Sequence, residues 1–283
     1  MRGRPCGRDG RRGRGVAAAG AMEALAVLVK EITYTMALAM PRMVGAMTAL
    51  SFLGANVLGG ALTRNGVAAA LALLVYPVVF EQIADAELSG LAFAGAAGKE
   101  FIVGMLIGTV AMVVFWCIQA VGNFIDNQRG ATMASAMDPF VGEQSSPFGL
   151  FMTQTLVAVF FCTGLFNAFL GGIYESYAMW PATAFWPTVD GHVVRFVVAQ
   201  FVLVAEMAVL VGGPVVIAMF LAELGLGFIS RFAPQLNVFF LSMPVKSGVA
   251  CLMLVLFWGV LVVFFGDMLR EIDTPGLLTE LFG

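Results

Sequence analysis

What most constrains this chain is the recurrence of apolar stretches long enough to cross a bilayer, separated by polar or Pro/Gly-rich breaks. A crossing takes about 20 helical residues at roughly 1.5 Å of rise each. Such stretches lie near residues 34–58, 66–84, 101–122, 148–173, 196–224 and 246–267. With 60% hydrophobic and 12% charged residues and a mean hydropathy of +0.93, the chain has too little polar surface to solvate a globule; soluble domains carry about 25% charged residues. The excess must face lipid or partner subunits. The expectation is an all-α membrane protein of about six long apolar helices, tilted or broken into hairpins.

Two stretches carry internal breaks. The first contains Pro41 and Arg42, so its helix starts after them or is kinked there. The fifth, continued to Ile229, would make a helix roughly 50 Å long against a hydrocarbon core of about 30 Å. Gly212, Gly213 and Pro214 sit in its middle, where a kink or break is expected. Such a break is tolerated at membrane depth only where protein or water covers the freed backbone. Glu206 and Glu223 also fall here. Each is read either as a pore-lining or partner-binding acid or as a carboxylate near an interface. Between the fourth and fifth stretches, Tyr174, Tyr177, Trp180 and Trp186 accompany Pro181 and Pro187. That composition suits anchoring at headgroup depth. Basic residues do not fix orientation: Lys30, Lys99, Arg195 and Arg270 fall on one side, Arg64, Arg129, Arg231 and Lys246 on the other.

Several classes are excluded by what is missing. No basic stripe interleaves with aromatics in the body of the chain, so nucleic acid is not an expected partner. Cys117, Cys162 and Cys251 lie in apolar runs and no CxxC pair occurs, which speaks against a zinc site or a disulfide framework. His192 stands beside Asp190 without a nucleophile nearby and reads as a solvated or interfacial side chain. Gly98-Lys99 is followed by Glu100 and lacks the rest of a phosphate-binding loop, and protease signatures are absent. No catalytic set, metal or cofactor is therefore expected. Residues 1–21 form an Arg/Gly-rich tail expected to be disordered. The tail is either a basic tether to lipid or sequence ahead of a natural start at Met22, with the helical membrane domain occupying 22–283.

Polar residues concentrate in two connections. GNFIDNQRGATMASAMDPFVGEQSSPFG, from Gly122 to Gly149, places Asp126, Asn127, Gln128 and Arg129 at the end of an apolar helix. Asp138-Pro139 and Ser146-Pro147 then break the chain. Small residues from Ala131 to Ala136 suit close packing, so either a docking surface or a solvated loop fits. The second connection, LGLGFISRFAPQLNVFFLSMPVKSG, brackets Gln235 and Asn237 between Pro234 and Pro244, with Arg231 and Lys246 outside them. Amides beside proline-broken backbone can satisfy uncovered carbonyls. A re-entrant turn along a passage and an interfacial hairpin both remain open.

RFAPQLNVFFLSMPVKS resembles the signature of the T subunit of type III secretion export apparatuses and of its flagellar relative FliR, with an R-x-x-P-Q-x-N-V-F core followed by P-x-K. IDNQRGATMASAMDP followed by GEQSSPFG is more similar to the secretion-system T subunit. The resemblance covers roughly residues 22–270. It implies a non-catalytic subunit of an inner-membrane export gate, joining R and S subunits in a funnel for unfolded substrates. It further implies a U-type switch protein and a V-type export protein as neighbours, and tilted hairpins raised toward the periplasm. The candidate conduit or subunit-contact residues are Asp126, Asn127, Gln128, Arg129, Asp138, Pro139, Gln144, Glu206, Pro214, Glu223, Arg231, Pro234, Gln235, Asn237, Pro244 and Lys246. A small-solute transporter is the rival from another class, since Gly104 and Gly108 form a GxxxG pair and the fifth stretch carries acids. No inverted repeat is apparent in the sequence.

Overall fold

The computed structural model describes residues 9–54, 57, 59–83, 90–130, 146–184, 193–233, 235 and 237–271, with side chains from Met22 onward apart from a few at helix ends. Its helices are α1 (Asp9–Ala49), α2 (Ala61–Ile83), α3 (Gly90–Arg129), α4 (Pro147–Cys162), α5 (Leu165–Met179), α6 (Val193–Phe232) and α7 (Val238–Glu271). A short 3-10 turn, Ser51–Leu53, follows α1. Among the described residues five helices are long and apolar enough to span a membrane, and the bent pair α4–α5 makes a sixth candidate.

The central element is α3, on which α1, α4, α6 and α7 all pack. Its glycines explain how closely. Gly104 faces the backbone carbonyl of Arg42, Gly108 faces that of Ala46, and Gly45 of α1 faces that of Phe101, so a side chain at any of them would push α1 and α3 apart. The GxxxG pair is therefore a joint inside the chain. Gly122 meets Gly149 in the same way where α3 crosses the start of α4. Around these contacts Phe52, Phe115 and Phe160 form an aromatic cluster, with Phe52 and Phe115 centroids 4.7 Å apart.

Four expectations need correction. α1 neither starts after Pro41 nor breaks there. It runs through the proline and ends at Ala49, short of the expected 58. Pro41 costs only the bond it would have returned to Ala37, and Tyr177 from α5 donates to the Ala39 carbonyl beside it at 2.8 Å. The stretch 148–173 is two helices bent by 73°, because Gly164 between them takes φ +79°, a left-handed conformation in which glycine meets no Cβ penalty. Of the kink or break expected at Gly212, Gly213 and Pro214, the break is absent: α6 is continuously helical there. There the loss is again one bond, while Gly212 seats the ring of Phe124 from α3. Finally, Pro244 belongs to α7, which begins at Val238, rather than to the connection after α6.

Candidate functional site

Three polar groupings stand out among the described residues, and the most buried is one that motif reading passed over. Arg42 follows the proline of α1, and Lys99 and Glu100 lie in the first third of α3. The Arg42 guanidinium donates to both Glu100 oxygens, Nε to Oε2 at 2.6 Å and Nη2 to Oε1 at 3.0 Å. It also donates to Ser176 Oγ at 2.9 Å and to the Trp180 carbonyl at 3.0 Å, and lies 3.9 Å from the centroid of the Tyr177 ring. Both ions are fully buried. Lys99 Nζ pairs with Glu100 at 2.8 Å and donates to the carbonyls of Pro181, Ala182 and Ala184, gathering the chain that leaves α5. From α2, Gln82 donates to the Tyr177 carbonyl and accepts from the Ala182 amide, each at 3.0 Å. Three helices thus meet at one ion pair, and Gln82 ties α2 to the chain beside it.

These contacts also revise the aromatic segment. Tyr177 is fully buried, and the Trp180 indole N–H donates to Ala184 within the turn after α5. Tyr177 therefore acts inside the fold rather than as a headgroup anchor. Trp186, Pro187, Asp190 and His192 lie outside the described residues.

The second grouping is the end of α3. Asp126 is buried and accepts from Arg129 Nε at 2.6 Å, from Ser146 Oγ at 2.5 Å and from the Phe148 amide at 2.9 Å. Ser146 in turn caps α4 by accepting from the Gly149 amide at 3.0 Å, with Pro147 at the first helical position. Arg129 lies over the Phe148 ring at 4.2 Å. The expected run of polar residues is therefore divided: Asp126 and Arg129 clamp α3 to α4, Asn127 is exposed and Gln128 half-buried. Asp138, Pro139 and Gln144 lie outside the described residues.

The third grouping joins α6 to α7, where Lys246 Nζ donates to Glu223 at 3.2 Å. Arg231, Gln235 and Asn237 are exposed around the link between the two helices, and Pro244 is exposed on the second turn of α7. Pro234 lies outside the described residues. Pro214 lines an apolar cavity of about 210 Å³ with Val121, Ile125, Met152, Val211 and Leu254. Glu206 is exposed and takes no part in any of these groupings.

Long apolar helices whose buried charges join one helix to another, with polar surface collected at the connections, define a multi-pass membrane protein built for helix packing. The chain belongs to the bacterial export proteins, family 1, whose family model matches residues 33–272. It is 44% identical to Yop proteins translocation protein T of Yersinia pestis over 233 residues, 82% of this chain and 89% of that one. It is 33% identical to the secretion system apparatus protein SsaT of Salmonella typhimurium over 235 residues, 82% and 90% of the two chains. With the flagellar biosynthetic protein FliR of Bacillus subtilis it shares 31% identity over 189 residues, 66% and 73%. The family expected from the two polar signatures is the one found.

Proposed function

We propose that this protein is a non-catalytic subunit of the inner-membrane export gate of a type III secretion system, helping to form the conduit for unfolded needle and effector proteins. The observation that carries this reading is the 44% identity, along most of both chains, to a protein named for Yop translocation. The flagellar counterpart is the second reading, since relatives named FliR match at 31% and 24%. The lower identity favours the secretion system.

The partners in this reading are R and S subunits, a U-type switch protein, a V-type export protein, the passing substrate and membrane lipid. The reading also places the chain raised toward the periplasm, and helix length supports its extending beyond the hydrocarbon. α3 and α6 have 40 residues each, about 60 Å of helix against about 30 Å of hydrocarbon. The exposed Arg231, Gln235 and Asn237 are offered to neighbouring subunits or to the conduit, and Asp126 and Arg129 set the geometry of the connection that follows them.

Affinity purification of the tagged chain from membranes in mild detergent tests the proposal. R and S subunits of the same secretion system should be recovered with it in fixed proportion. Recovery of the chain free of both, from cells that make them, would contradict the gate assignment.

A further inference from the structure

We propose that the outward face of α6 seats a helix from another subunit that presents a lysine or arginine to Glu206, an inference that rests on the export-gate reading above. α6 packs inward through Val211, Gly212, Val215 and Met219. At roughly 100° per residue, Glu206 falls on the opposite side, in line with Val202, Leu210, Ile217, Leu224 and Phe228, all of them exposed. Glu223 on the same helix is met by Lys246. Among the described residues nothing on this chain donates to Glu206.

Two observations identify what covers this face. The apolar run Val198–Phe232 has 35 residues, about 52 Å of helix, and hiding it in about 30 Å of hydrocarbon would need a tilt of roughly 55°, beyond the range of about 0–40° seen for membrane helices. Part of the strip therefore lies past the lipid tails, where an apolar surface of this extent calls for protein. The carboxylate then states the chemistry of that protein, because an acid set among apolar side chains needs a cation or donor at the same level. Gly213, two turns along on the same side, has no atom within 4 Å of where a Cβ would stand. A neighbouring helix can come close there.

The test uses E206A, E206Q, E206K and G213I in the full-length chain, expressed with the complete secretion system. Among the described residues Glu206 has no polar partner and Gly213 faces open space, so each variant should reach the carbonate-washed membrane at the wild-type amount. Co-recovery of the neighbouring subunits should fall at least tenfold for E206K, several-fold for E206A and G213I, and less for E206Q, which can still accept a hydrogen bond. A photo-crosslinking amino acid at position 206 should join the chain to another subunit, and exchanging that subunit's basic residue for glutamate should rescue E206K. Wild-type co-recovery in E206K, adducts to lipid alone, or loss of the E206A chain itself from the membrane would each overturn the proposal. If deletion of the whole gene stops secretion while E206K assembles normally, only this inference fails. If deletion leaves secretion intact, the export-gate reading fails with it.

Discussion

Arg42 and Glu100 have no exposed side-chain surface and pair with each other at 2.6 Å. Removing one partner of such a pair costs about 3–5 kcal/mol, whereas replacing both by apolar residues of similar volume is often neutral. R42M and E100M should therefore each lower the thermal stability of the detergent-purified chain markedly, and R42M/E100M should regain most of the loss. Additive losses in the double variant would mean that the two residues act separately. At Asp126 the expectation is smaller. D126N keeps one acceptor oxygen, which can still serve Ser146 and the Phe148 amide, but loses the charge-assisted bond from Arg129, of a kind worth about 1.5–3 kcal/mol. A loss of about 2 kcal/mol, read from the same melts, is expected. The Asp126 clamp was partly legible in sequence because its residues sit in one connection. The Arg42 cluster was not, since Arg42 meets Glu100 and Ser176 across 58 and 134 residues and no local spacing encodes that meeting.

The helices themselves were legible as apolar runs, but their ends and joints were not. Hydropathy falls where polar residues begin, yet α3 carries its helix to Arg129 because Asp126 and Arg129 find partners there. Proline was over-weighted. Pro41, Pro77, Pro214 and Pro244 all lie inside helices, since in each case the neighbouring ladder and packing offset one missing bond. Glycine was under-weighted at the same scale: Gly164 makes the bend between α4 and α5, and Gly104 sets the distance between α1 and α3. G164A should cost about 1–2 kcal/mol from its left-handed backbone alone. It should leave each helix intact by circular dichroism while lowering the melting temperature. G104L should be far worse, because the obstacle it meets is the Arg42 backbone rather than a movable side chain. The measurement is the yield of monodisperse chain in detergent, expected to collapse for G104L and to persist for G98L, whose position is open.

As a whole, the molecule joins its core through buried ions and aromatic packing while leaving long apolar faces of α6 and α7 uncovered. Helices of about 50 to 60 Å with so much exposed apolar surface make sense in an assembly, and family membership names the kind of assembly. The chain should stay in the membrane fraction through an alkaline carbonate wash. Bulk release would contradict integral insertion. The central claim is export, and an in-frame deletion tests it most directly, with culture supernatants and whole cells assayed for every substrate of the system. The account predicts that all of them vanish from the supernatant while their synthesis and the activity of the isolated export ATPase persist, and that the full-length chain supplied in trans restores secretion. Secretion at the wild-type level from the deletion strain would contradict it.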